Sequence, residues 1–206
     1  MGARLTLMVL VDGPEGAACV DLGSGALVRT DLPRPERGGW RPFETVQVAL
    51  ADDPDGPDPT QPEAVVVGPG PTRTGRLRGR RARRILGPLL LPAGEQPLGF
   101  AASALPYWAV AGDRPSVALV RPDRGPAVAR RHGEVVCRFG SGRMETELPV
   151  ADPHALAAVA RAPELRLAGT MLARALGHRP EYLVVMLSRP HQGRCYRVVA
   201  GLLPAA

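Results

Sequence analysis

The residues best suited to binding chemistry form one short run. Between positions 73 and 84 the chain reads RTGRLRGRRARR, which holds seven arginines and no acidic residue. Guanidinium groups pair with phosphate and carboxylate oxygens, and every phosphate that they neutralise releases counterions. The run predicts a contact surface for nucleic acid or for an acidic protein partner, made by Arg73, Arg76, Arg78, Arg80, Arg81, Arg83 and Arg84.

The composition of the chain offers a second explanation for this run. All 26 basic residues are arginine, asparagine is absent and Ile85 is the sole isoleucine, which indicates a strong coding bias. Such a bias would leave a solvated basic loop here and would raise arginine everywhere. Residues 1–72, however, hold 5 arginines and 11 acidic residues, net −6, whereas residues 73–206 hold 21 and 9, net +12. This uneven charge favours a functional surface over the solvated loop.

Two neighbouring features bear on how such a surface would work. Phe100, Tyr107 and Trp108 follow the run and would stack on bases if they were exposed, although the core of a chain with only eight aromatic residues needs most of them. An aspartate-rich loop at 52–58 has the opposite charge and lies close in sequence. We hypothesise that this loop covers the arginines and masks them.

A phosphate-binding loop is the nearest enzymatic motif. The stretch AVVV followed by GPGPTRTGR has the glycine spacing of that motif at Gly70 and Gly75. Arg76 and Leu77 stand where the motif needs a lysine and a magnesium-binding Ser or Thr, and two prolines remove N–H donors. Nucleotide hydrolysis is therefore not expected, and the sequence predicts a strand end and a flexible turn.

Cysteines, histidines and carboxylates suggest no catalytic residue, metal site or cofactor. The chain has no C-x-x-C and no H-x-x-x-H pair, whereas a zinc site needs four closely grouped ligands. Cys137 alternates in phase with Val135 and Phe139, which predicts a small core residue. Three cysteines indicate free thiols in a reducing compartment. No segment is apolar for long enough to act as a secretory signal or a membrane span, so we expect a soluble cytoplasmic protein without membrane contact.

The alternation of apolar and polar residues predicts an α+β protein that is rich in β-structure, with a mostly antiparallel sheet or a partly open barrel. Strands are predicted at 4–11, 18–21, 26–30, 45–50, 64–67, 116–121, 127–131, 134–139, 144–148, 182–188 and 195–203. Between 85 and 108 four prolines predict irregular segments. A pair of helices, 153–162 and 164–177, is inserted before the last two strands, which should form the centre of a sheet.

Two local predictions can be compared directly with a structure. In the hairpin of 134–139 and 144–148, inner-face residues lie opposite each other when Phe139 pairs with Met144 and Cys137 pairs with Thr146. The same register places Arg138 opposite Glu145 on the outer face. Before the first helix of the pair, Asp152 has the residue type of an N-cap and is followed by proline at the first helical position.

The chain divides into an acidic, β-rich part (1–68), a connecting segment rich in Arg, Pro and Gly (69–95) and a β-rich part with two helices (96–206), which together can form one continuous domain. The function predicted first is a non-enzymatic binding protein that contacts nucleic acid through the arginine run. The alternative is a protein-interaction or assembly component that uses the same arginines, or the apolar segment 85–108, against a protein partner. An enzyme whose site carries no motif comes third.

Overall fold

A computed structural model describes residues 3–33, 35, 39–52, 56, 58–110, 112 and 114–206. Within these residues the chain forms thirteen strands and four α-helices, and all named strand pairs are antiparallel. The predicted fold class, a β-rich and largely antiparallel α+β protein, is confirmed. In the same described part of the chain, no helix has the length and apolar character needed to cross a membrane.

The elements follow one another in this order. The first part of the chain forms β1 (Arg4–Gly13), β2 (Gly16–Asp21), β3 (Leu27–Thr30), β4 (Glu44–Ala49), β5 (Thr72–Arg76) and α1 (Gly79–Leu86). Two short 3-10 helices, Gly87–Leu89 and Pro97–Gly99, then lead to β6 (Ala104–Pro106), α2 (Tyr107–Val110) and β7 (Val117–Val120). The rest forms β8 (Arg124–Arg131), β9 (Glu134–Ser141), β10 (Met144–Pro149), α3 (Pro153–Arg161), β11 (Arg166–Ala168), α4 (Gly169–Leu176), β12 (Tyr182–Leu187) and β13 (Arg194–Leu203).

The strands form three sheets, with the orders β3-β2-β1-β4-β5, β10-β9-β8-β11 and β6-β13-β12-β7. The last of these lies between the other two. Val184 and Met186 of β12 pack against the five-stranded sheet and α1, whereas Leu183 and Val185 pack against the β8–β10 sheet, α3 and α4. Burial on both faces explains why β12 is apolar without alternation, and it confirms that the last two strands are central.

One buried cluster joins the five-stranded sheet, α1 and the central sheet. It contains Met8 and Leu10 of β1, Leu86 of α1, and Met186 and Ala200 of the central sheet. The opposite face of the five-stranded sheet is covered by a separate cluster that includes Trp40. The segment that carries the arginine run is thus anchored in the core by its own apolar residues.

The predicted hairpin forms, but its predicted register is wrong. Thr146 pairs with Phe139 and Leu148 with Cys137, because β9 continues two residues into the predicted turn, to Ser141, and shortens it by two. A shift of two residues keeps every side chain on its predicted face, since the side-chain period of a strand is two. The predicted contact between Arg138 and Glu145 is nevertheless present as an ion pair of 2.6 Å across the diagonal.

Three elements correct the predicted secondary structure. The second predicted helix begins only at Gly169, because Arg166–Ala168 form β11 and pair with the edge of β8, which leaves Leu165 71% exposed. The predicted strand at 64–67 makes only isolated bridges, from Ala64 to Arg29 and from Val67 to Leu50. The segment 85–108, predicted to be irregular, contains the end of α1 as well as β6 and α2.

Asp152 caps α3 as predicted and also ties that helix to the central sheet. Its Oδ1 accepts hydrogen bonds from the backbone N–H groups of His154 (2.8 Å) and Ala155 (3.2 Å). Its Oδ2 accepts one from the N–H of Leu202 in β13 (2.8 Å), and the carboxylate is buried. One side chain therefore satisfies three backbone donors.

Asp152→Ala is expected to lower the free energy of unfolding by about 3 kcal/mol, because it removes a helix cap and leaves a buried N–H of β13 without an acceptor. Urea unfolding followed by circular dichroism measures the change. Glu164→Ala removes an exposed acid close to the end of α3 and serves as the control, with an expected change below about 0.5 kcal/mol. Equal losses in the two variants would contradict the role assigned to Asp152.

Candidate nucleic-acid interface

Six of the seven arginines of the run lie on two consecutive ordered elements, Arg78 lies between these elements, and all seven are exposed. Arg73 and Arg76 belong to β5, which is the edge strand of the five-stranded sheet. Arg78 precedes α1, and the four remaining arginines lie on α1 itself. We call these seven side chains the arginine surface. The alternative of a solvated basic loop does not describe this segment, since strand and helix fix its backbone.

The pattern of α1 explains how eight residues with four arginines form a helix in water. Ala82 and Leu86, four positions apart, are buried in the cluster between the sheets, and Leu77 just before the helix is buried with them. The outward positions are then left to Arg80, Arg81, Arg83 and Arg84. Alanine, leucine and arginine have high helix propensity, and arginines in the last turn interact favourably with the helix dipole. The core thus presents a helix whose outer face is entirely basic.

Acidic side chains barely neutralise this surface. Arg73 forms an ion pair of 3.2 Å with Glu44 and lies 5.2 Å over the ring of Trp40. The other six arginines form no ion pair within the described residues. Clustered like charges repel one another and raise the positive potential above the surface, which attracts anions.

Two arginines outside the run have a purely structural role, and they differ in this from the arginine surface. Arg29 is buried and donates to the carbonyl oxygens of Glu15 and Leu187, each at 2.6 Å. Burial lowers the pKa of Arg29, while the neighbouring Glu15 and Glu63 act in the opposite direction. Arg197 is likewise buried and donates to carbonyls of the segment 97–102. Their donors are occupied within the protein, whereas the arginine surface is exposed and only Arg73 has an ion-pair partner among the described residues.

The tertiary structure adds basic residues that the sequence did not associate with the run. Arg83 and Arg121 both lie close enough to Tyr182 to act electrostatically on its hydroxyl, whose pKa is raised chiefly by burial. Arg121 pairs with Glu181 at 2.8 Å and borders a cleft of about 410 Å³ that Arg179 also lines. No sequence signal links these arginines to the run, because about 40 to 100 residues separate them from it. Arg121 thus lies near Tyr182, as Arg83 of α1 does, with its charge offset by Glu181.

A shallow groove lies where β5 meets α1. It has a volume of about 460 Å³ and is lined by Arg76, Arg78 and Gly79 on one side and by residues 204–206 on the other, with Phe43 and Leu77 at its base. The first turn of α1 contains no acidic residue, and no side chain caps its N-terminus. The first residue of α1, Gly79, thus lines the same groove as Arg76 and Arg78.

The phosphate-binding-loop spacing does not form such a loop. Residues 72–76, which would form the turn of the motif, are strand β5 and pair with β4. A backbone in a ladder cannot surround a phosphate with its N–H groups.

The aromatic residues predicted as possible stacking partners lie far from the arginines. Trp108 is 69% exposed and Tyr107 is also exposed, with the two rings edge to face at 6.0 Å, whereas Phe100 packs under Arg197. The N–H of Tyr107 bonds Gly193 beside the first residue of β13. Arg76 and Arg78 line a groove with residues 204–206, which follow the other end of β13, and a ten-residue strand spans about 30 Å.

The masking hypothesis concerns a loop of which only part is described. Asp53 and Asp55 lie outside the described residues. Asp58 accepts hydrogen bonds from Thr60 and lies near Arg29 of β3, on the opposite edge of the five-stranded sheet from β5. Asp52 and Asp58 form no ion pair with the arginine surface among the residues that the structure describes. The hypothesis therefore remains a prediction about the rest of the loop.

All three cysteines are free and buried, which confirms the predicted core role of Cys137. Burial, with a smaller contribution from Asp152, raises the pKa of Cys137 to about 12. Burial likewise raises the pKa values of Cys19 and Cys195. Among the described residues, no group of three or more His, Cys, Asp or Glu side chains is placed to hold a metal ion.

The native protein is expected to react with Ellman's reagent at pH 8 at no more than the rate of unfolding, because reaction requires an accessible thiolate. In urea all three thiols should react. Absorbance of the released thiolate measures both rates, and prompt reaction of one thiol in the native protein would contradict the burial described above.

No family model, no curated protein and no solved structure matches this chain. The function proposed for this protein therefore depends only on the chemistry of the arginine surface.

Proposed function

We propose that this protein is a non-enzymatic nucleic-acid-binding protein whose arginine surface contacts the phosphate backbone. The observation that carries the proposal is that seven exposed arginines are held on an ordered strand and helix, six of them without an ion-pair partner in the described part of the chain. Each such side chain can pair with phosphate oxygens through two N–H donors. Neutralising the phosphates releases counterions, which is the main source of sequence-independent affinity.

Anchoring of the segment favours binding further. The buried side chains of Leu77, Ala82 and Leu86 fix the backbone of the surface before any ligand arrives. Less conformational entropy is then lost on binding than with a disordered basic tail. The charge asymmetry of the chain acts in the same direction, because the net charge of +12 over residues 73–206 steers polyanions towards this part of the protein.

Fluorescence anisotropy with a labelled DNA duplex of about 20 base pairs, at about 50 mM salt, tests the proposal. We expect binding in the micromolar range or tighter and a steep loss of affinity as salt is added. Poly-glutamate of equal charge is the comparison ligand, since an acidic protein partner uses the same guanidinium chemistry. Absence of binding to the duplex and also to a single strand of the same length at low salt would overturn the proposal, and a preference for poly-glutamate would favour a protein partner in its place.

A further inference from the structure

We infer that the arginine surface takes double-stranded nucleic acid and holds it by its phosphates, without stacking on bases or reading their edges. The inference rests on the proposed function and names the ligand class of that same site. Four observations carry it: the burial of the neighbouring aromatic rings, the position of the exposed aromatic pair, the composition of the outward face, and the length of α1 relative to the spacing of phosphates.

Every aromatic ring of the described chain that lies beside the arginine surface is buried. Trp40 lies under Arg73, Phe43 forms the base of the groove beside Arg76, and Tyr182 lies near Arg83. Their exposed fractions are only 7%, 2% and 3%. Proteins that bind single strands combine a basic groove with exposed aromatic side chains on which successive bases stack. The arginine surface has the charge for this task but lacks the stacking platform.

The exposed aromatic pair does not supply the missing platform. Tyr107 and Trp108 lie beside the first residues of β13, and α1 packs near its last residues. A single strand held by the arginines would have to cross about 30 Å of protein surface before a base could stack on Trp108. Charge and aromatic surface are therefore separate on this molecule.

The outward face offers only arginine and threonine side chains for contact with bases. The exposed residues from 72 to 84 are arginines together with Thr72, Thr74 and Gly75. Adenine and cytosine are read in the major groove mainly by amide and carboxylate side chains, which are absent from this face as described. An arginine can recognise guanine. Six neighbouring arginines with the same chemistry, however, do not select one alignment of the duplex along the surface.

The spacing of charge favours a duplex over a single strand. The eight residues of α1 span about 12 Å, a length in which a duplex carries about seven phosphates and one strand about four. A duplex thus brings more phosphates within reach of the same guanidinium groups. DNA and RNA duplexes both present phosphates in this way, so the affinity for each is measured separately.

Competition anisotropy with four unlabelled ligands of equal length tests the inference: a GC-rich DNA duplex, an AT-rich DNA duplex, an RNA duplex and a DNA single strand. We expect at least one duplex type to compete about five-fold or more better than the single strand, and the two DNA duplexes to agree within about two-fold. The duplex type that competes better, DNA or RNA, is the one that the arginine surface is suited to bind.

The variant Trp108→Ala is the matched control for stacking and is expected to bind duplex and single strand as the unchanged protein does. A single strand that competes as well as the duplexes would overturn the inference, as would a loss of about five-fold or more in Trp108→Ala. Both of these results would leave the proposed function standing. If no nucleic acid binds at low salt, the proposed function and the inference both fail.

Discussion

Replacing Arg80, Arg81, Arg83 and Arg84 together by alanine is expected to flatten the salt dependence of duplex binding from a slope of about −6 to about −3. Each phosphate contact contributes about −0.9 to the slope of log Kobs against log salt, and the variant keeps three of the seven arginines. Between about 50 and 200 mM salt the unchanged protein should lose affinity several-thousand-fold and the variant roughly 40-fold. Anisotropy titrations at four or five salt concentrations measure both slopes.

A charge-matched variant separates the surface from the net charge of the protein. Arg143, Arg161, Arg166 and Arg174 are exposed on the β8–β11 sheet and its helices, beyond the central sheet from α1. Their replacement by alanine changes the net charge by the same amount and should leave the slope within about one unit of its original value. Equal flattening in both variants would mean that net charge alone binds the duplex. Circular dichroism should show an intact fold in each, since all eight replaced arginines are exposed.

Gly201→Ala is expected to destabilise the protein by about 3 kcal/mol and to lower Tm by roughly 5–10 °C. A Cβ at this position would lie 2.1 Å from Cγ1 and 3.3 Å from Cβ of Val11. Val11 is a stiff, β-branched side chain in the cluster between β1 and β13, so it cannot rotate away freely. The two sheets must therefore separate locally, and buried contacts are lost. Thermal unfolding followed by circular dichroism measures the effect.

The double variant of Gly201→Ala and Val11→Ala shows whether the contact between the new Cβ and Val11 causes the loss of stability. Removing the two methyl groups of Val11 makes room for the new Cβ, so the two changes together should cost less than their sum, by about 1 kcal/mol or more. Gly125→Ala, where no atom lies within 4 Å of a built Cβ and φ is not positive, is the matched control and should leave Tm nearly unchanged. Strict additivity would contradict the close approach of β1 and β13 at Gly201.

Local patterns predicted most of the β-structure, because alternation and turn residues act over a few positions. The hairpin of β2 and β3 and the cap at Asp152 were found in this way, as was the apolar pair β12 and β13. Errors arose where a distant partner decided the outcome. Residues 166–168 have the spacing of a helix but pair with β8, and the backbone hydrogen bonds of that pairing outweigh a weak local preference.

The sequence alone determined that seven arginines without an intervening acid occupy twelve residues, since density and sign of charge are properties of the chain itself. It also determined the β-rich class, which follows from side-chain alternation. Only the tertiary structure decided that these arginines face outward from a helix anchored by Leu86, and that Trp108 lies at the far end of β13. Both outcomes depend on packing between residues about 100 positions apart, and no local pattern records which of them meet in the core.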